Sequence, residues 1–135
     1  MSSIAAKLSI WWLKRQAHTA LIFKRSGQAI EIYRRMLVVD PSCDEARIML
    51  GNLLADSGDW AGAAQELERL SQVNPDNADG WFNLGFVHDK TDNIAEAERC
   101  FRRAVQLRPT HDRAWYGLGL VLIRAGRLEE AVEAL

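Results

Sequence analysis

Proline, cysteine and long apolar runs are all scarce in this chain, and each scarcity excludes something. Only three prolines occur in 135 residues, so long helices are permitted almost throughout. The two cysteines, Cys43 and Cys100, stand 57 residues apart, with no partner at CxxC spacing. That argues against a disulfide framework or a zinc site and suits a reducing compartment. No apolar run approaches the roughly 18 residues needed to span a bilayer. The first residues lack the clean apolar core and small-residue cleavage site of a secretory leader, so a cytoplasmic location is expected. Net charge is small as well: 17 basic against 18 acidic residues. A nucleic-acid binder more usually carries a basic excess, and no nucleic-acid partner is expected. Gly-rich phosphate-binding loops are missing.

What the chain does have is a period. Pro41, Pro75 and Pro109 fall at intervals of 34 residues. Comparison of the sequence with itself at that spacing aligns residues of one class almost everywhere. Ala17, Gly51, Gly85 and Gly119 form one series, and Ala29, Ala63, Ala97 and Ala131 another. Tyr33, Leu67, Phe101 and Leu135 form a third. Within residues 78–111, Trp81, Leu84, Gly85 and His88 mark one helical face, and Ile94, Ala97, Phe101, Ala104 and Val105 mark a second. A glycine inside a helix costs about 1 kcal/mol against alanine, so its recurrence predicts a close helix crossing. Gly58 and Gly126 sit where a left-handed residue would close the first helix of a pair. Ser42 with Glu45 has capping-box spacing, and Asp76 or Asn77, and Thr110, are candidate caps downstream. Each unit is therefore expected to be two antiparallel helices that bury both faces only when stacked on neighbours.

These units resemble tetratricopeptide repeats, which prefer Trp, Leu, a small residue, Tyr, Ala, Phe, Ala and Pro at fixed places. The best match is Trp81, Leu84, Gly85, His88, Ala97, Phe101, Ala104 and Pro109. The resemblance implies an all-α, right-handed superhelical solenoid of about three and a half repeats. The expected divisions are an N-terminal helical extension over 1–9, a degenerate first repeat over 10–43, repeats over 44–77 and 78–111, and an incomplete fourth over 112–135. Gln16 stands where the family has Leu, and the turn near Lys24 to Gly27 is atypical. Leu135 falls within the last second helix, so a longer natural array is expected. Val132 and Leu135 would otherwise favour self-association through the open C-terminal repeat.

The family's first helices line a concave groove, which implies a protein-interaction scaffold that binds a partner protein or an extended peptide. The groove positions carried onto this chain are Ile48 and Asn52, then Asp79, Phe82, Asn83, Phe86 and Lys90, then Arg113, Tyr116, Leu120 and Arg124. Phe82, Phe86 and Tyr116 would form an aromatic strip, unless they pack between neighbouring first helices. Acids (Glu45, Asp56, Asp79, Asp89) gather early and cations late, which would orient a peptide. Some family members grip a C-terminal carboxylate with two asparagines and three cations. Asn52, Asn83 and Arg113 match three of those places, but Ile48 and Gly117 occupy the other two. One cation with two amides is a weak carboxylate clamp.

Residues 1–35 carry seven cations (Lys7, Lys14, Arg15, Lys24, Arg25, Arg34 and Arg35) against one acid, Glu31. With Trp11 and Trp12 among them, this segment offers a second reading, a peripheral anchor on a membrane surface or a contact with another copy. The competing and favoured expectation is that its helix caps the first repeat and buries both tryptophans. A third reading makes the repeats the front of a longer enzyme. No catalytic residue, metal site or cofactor is expected in this chain itself, since His18, His88 and His111 fall in different units. His88 with Asp92 would be a poor two-ligand metal site. Arg99, Arg102, Arg103 and Arg108 are expected to form a solvated convex face with Glu96 and Glu98.

Overall fold

Four helical hairpins follow from four copies of the same pattern. The structure, a computed structural model, describes residues 3–135. The helices are α1 (Ile4–Ile22), α2 (Ser26–Val39), α3 (Asp44–Asp56), α4 (Trp60–Val73), α5 (Ala78–Lys90), α6 (Ile94–Leu107), α7 (Asp112–Arg124) and α8 (Leu128–Ala134). No strand occurs among the described residues. Each helix packs on the next, and α5 also packs on both α3 and α7, so first helices form an inner row. The array is an all-α solenoid of stacked helix pairs, as the tetratricopeptide resemblance implies.

The packing of each hairpin is set by one small residue. A Cβ on Gly51 would lie 2.8 Å from Leu67, and one on Gly85 would lie 2.9 Å from the Phe101 ring. Glycine at these places lets a large second-helix side chain reach the first helix's backbone. Ala17 and Tyr33, buried at 1% and 6% exposure, fill the same two places in the first hairpin. The turns between paired helices share a left-handed residue at the same spacing: Lys24, Gly58, Asp92 and Gly126. The turn at Lys24 thus has the common backbone despite its sequence, and Lys24 and Asp92 adopt φ values of 54° and 62°.

Between hairpins, position 47 and its equivalents tie the chain to the preceding turn. Trp81 Nε1 donates to the Pro75 carbonyl and Trp115 Nε1 to the Pro109 carbonyl, both at 2.7 Å. Arg47 reaches the Pro41 carbonyl at 2.8 Å in the same way and ion-pairs with Glu66 at 3.2 Å. The Arg47 Nε has no partner, which makes this the least satisfied buried polar group described.

Two expected caps are replaced. Ser42 turns back to Asp40, and α3 starts after Cys43 without a side-chain cap. His111 rather than Thr110 caps α7, accepting from the Ala114 N–H through Nδ1 at 3.2 Å. Asn77 caps α5. Residues 4–9 continue α1 without a break, making it 19 residues against 13 for α3. No described helix is long and apolar enough to cross a membrane.

Candidate peptide-binding groove

An apolar cavity of the inner row lies between α5 and α7. It measures about 500 Å³ and is lined by Phe82, Phe86, Asp89, Lys90, Phe101, Asp112, Arg113, Tyr116, Gly117 and Leu120. Glycine at position 117 is what opens it. The equivalent places in the earlier first helices hold Arg15, Met49 and Asn83. At Gly117 the Phe101 ring lies 2.8 Å from where a Cβ would sit, so the ring edge becomes the floor. Size, concavity and an apolar lining with few polar groups are those of a ligand site.

The walls divide into exposed and covered side chains. Phe86, Tyr116 and Leu120 are 39%, 61% and 38% exposed and form an open apolar rim. Phe82 is different, at 7% exposure. Its ring packs 5.8 Å from Phe101 and 4.9 Å from His111, and the Arg113 guanidinium sits 4.8 Å from its centroid. The expected aromatic strip is thus corrected to two exposed rings over one buried ring. Lys90 Nζ lies 5.4 Å from the Phe86 centroid, which places a second cation at the mouth.

Asp79 and Arg124 face other tasks than the expected groove lining. The Asp79 carboxylate accepts from Arg108 at 2.9 Å and meets His111 Nε2 at 3.1 Å, joining α5 to the start of α7. The Arg108 hydrogen bond, with the guanidinium's charge behind it, holds that carboxyl below the usual aspartate range despite partial burial. Arg124 is engaged by Asp89 and by Asp92. Ile48, Asn52 and Asn83 are half-buried along the inner row, and none of the three lines this cavity.

A second cavity, of about 520 Å³, lies where α1 stands farther from α3 than α3 does from α5. Trp11, Lys14, Arg15, His18, Tyr33, Glu45 and Met49 are among its lining residues. Lys14 and Glu45 bridge it at 2.6 Å. Of these, the sequence singles out Glu45 as a groove acid and Trp11 as a candidate surface contact. Lys14, Arg15, His18, Tyr33 and Met49 fall outside the expected groove positions, although the 34-residue register aligns Lys14 with Phe82 and His18 with Phe86.

The expected burial of the two tryptophans is overturned. Trp11 and Trp12 are 55% and 56% exposed. Only Leu13, Ala17 and Ala20 of α1 are fully buried, so one narrow stripe meets α2 and both tryptophans lie outside it. Trp12 stands where the later first helices carry Ala46, Gly80 and Ala114, all buried. Arg15, Arg25 and Arg35 surround Trp12, together with Val38 and Val39.

On the convex side, Arg99, Arg102, Arg103 and Arg108 each have a carboxylate partner: Glu96, Glu98, Asp76 and Asp79 respectively. Cys100 is fully buried, and burial pushes its thiol up to about 12. His88 is buried with Glu68 at 3.9 Å.

Comparison with known proteins agrees with this architecture. A crystal structure of MamA superposes with a TM-score of 0.84 at 25% identity, over 93% of this chain and 73% of that one. The first tetratricopeptide domain of Spaghetti (RPAP3), bound to the HSP90 peptide SRMEEVD, matches with a TM-score of 0.82 at 15% identity, over 88% and 94%. A Thermobaculum terrenum O-GlcNAc transferase mutant matches at 30% identity with a TM-score of 0.75, over 90% of this chain but 23% of the enzyme chain. No curated protein sequence matches the chain. The family model described as the cilia and flagella-associated protein 70 C-terminal domain matches residues 1–135 from end to end. With its helix pairs, its 34-residue register and that match, the chain belongs to the tetratricopeptide-repeat proteins, in the family of the cilia and flagella-associated protein 70 C-terminal domain.

Proposed function

We propose that this chain is a protein-interaction scaffold that holds an extended peptide segment of a partner across α5 and α7. The observation that carries the reading is the apolar cavity over Phe82 and Phe101, with Phe86, Tyr116 and Leu120 open at its rim. Exposed rings beside a cavity are the side chains that most often dominate binding energy. The Spaghetti (RPAP3) domain, of the same fold, holds a peptide. The mode here differs from a two-asparagine clamp on a terminal carboxylate, since Ile48 and Gly117 supply no charge. The likeness to O-GlcNAc transferase spans 23% of that chain, which gives little support to an enzymatic reading. The family takes its name from a cilia- and flagella-associated protein, and we place the scaffold within such an assembly.

A displayed random-peptide library selected on the wild-type chain tests the groove. Peptides recovered on wild type should be lost on Phe86→Ala/Tyr116→Ala, while the helical circular dichroism and melting of that variant stay nearly unchanged. Equal recovery on both proteins would remove the groove assignment.

The exposure of Trp11 and Trp12 favours one further reading, peripheral attachment of the α1–α2 end to an anionic membrane surface. Lys7, Arg15, Lys24, Arg25, Arg34 and Arg35 have no ion-pair partner among the described residues, while tryptophan beside cations suits the headgroup region. Vesicles of phosphatidylserine and phosphatidylcholine should co-sediment the protein at low salt, and Trp11→Ala/Trp12→Ala should abolish this. Failure of the wild type to sediment ends the reading.

A further inference from the structure

Internal pairing changes the charge that a guest would meet in the groove. The sequence places acids early and cations late, but most of those acids are already taken. Glu45 is held by Lys14, Asp79 by Arg108 and His111, and Asp89 by Arg124. Lys90 and Arg113 have no carboxylate partner among the described residues. Both instead lie over the faces of rings that line the α5–α7 cavity. A cation on an aromatic face keeps most of its N–H donors free for an incoming acceptor. The unpaired acid at the mouth is Asp112, the first residue of α7, where the helix dipole already favours a negative charge.

We infer that the α5–α7 cavity selects an acidic peptide segment that inserts one bulky apolar side chain onto Phe101 while its flanking carboxylates engage Lys90 and Arg113. This rests on the groove reading above and adds the chemistry of the guest. The apolar anchor follows from Gly117, which uncovers the Phe101 ring edge. The acidity follows from two unpaired cations held at the mouth by the rings beneath them. A basic segment would set like charges against Lys90 and Arg113 and leave them without acceptors.

Fluorescence anisotropy on the full chain tests this with three labelled peptides. One has a central Phe flanked by Asp and Glu, the second replaces the Phe by Ala, and the third replaces the acids by Lys. The acidic Phe peptide should bind at least about tenfold tighter than either twin, and its affinity should fall as salt is raised. Lys90→Glu/Arg113→Glu should reverse the preference towards the Lys-flanked peptide. If that variant loses its helical signal, Lys90→Gln/Arg113→Gln should still weaken the acidic peptide about tenfold or more. Three results overturn the inference. Binding of the Lys-flanked peptide as tight as the acidic one, lost in Phe86→Ala/Tyr116→Ala, would keep the groove and refute its charge preference. Acidic-peptide binding that survives Phe86→Ala/Tyr116→Ala would refute the inference and place the site outside the groove. No binding of the acidic peptide up to about 1 mM would refute the inference alone, because the library selection judges the groove independently.

Discussion

Single residues carry the departures from the repeat pattern. Arg47 does the work of Trp81 and Trp115 in reaching back to a proline carbonyl, but adds a buried charge and an unsatisfied Nε. Removing it strands Glu66, whose side chain is only 17% exposed. Arg47→Ala should therefore lower unfolding free energy by about 3–5 kcal/mol, the usual effect of breaking a buried pair. Arg47→Trp with Glu66→Leu should lose far less, since it restores the indole hydrogen bond and removes the stranded acid. Urea melts of both variants check this, and equal losses would show that the proline contact is not shared. The two thiols separate in the same manner. Cys100 is sealed and its thiol is pushed up to about 12, so it stays protonated near neutrality, whereas Cys43 is half-buried. A thiol-reactive dye should label one cysteine in the native chain and two in denaturant.

At the scale of the element, two backbone features decide how each hairpin closes. Lys24 holds a left-handed φ of 54° where Gly58 and Gly126 occupy the matching turns. An L-residue there carries a penalty of roughly 1–2 kcal/mol, partly offset because glycine loses more entropy on folding. Lys24→Gly should stabilise the chain by about 0.5–1 kcal/mol in the same urea melts. Gly85 works in the opposite sense. Alanine is the better helix former, yet its Cβ would sit 2.9 Å from two atoms of the Phe101 ring. Gly85→Ala should destabilise by about 1–3 kcal/mol and Gly85→Leu should prevent cooperative folding. A more stable Gly85→Ala would contradict the close crossing.

These features also mark what could be read in advance. The tetratricopeptide resemblance implies the inner row, and the 34-residue register exposes helix pairs and crossing glycines, because each unit repeats one local solution. It does not expose which neighbour covers a given side chain. Phe82 has the register of Tyr116 but is buried, because His111, the cap of α7, and Phe101 of α6 reach it. Asp79 pairs with Arg108 at the far end of its own unit and Asp89 with Arg124 of the next, so the expected run of groove charges dissolves. Trp11 and Trp12 lie off the stripe of Leu13, Ala17 and Ala20 that meets α2, and a helix with apolar residues on several faces hides which face is used.

Across the whole molecule, stability and binding have different addresses. The core is a chain of neighbour contacts between small residues and large second-helix side chains, as expected of a quasi-one-dimensional array. The cavity uses what that core leaves over: Gly117, the Phe101 edge and the rim of Phe86, Tyr116 and Leu120. The most direct measurement is backbone-amide NMR of the labelled chain titrated with a library-selected peptide. Shifts should concentrate on α5 and α7 around Phe86, Tyr116, Gly117 and Leu120, leaving α2, α4 and the outer face of α6 nearly unmoved. Shifts centred on those second helices, with the α5–α7 cavity silent, would contradict the account.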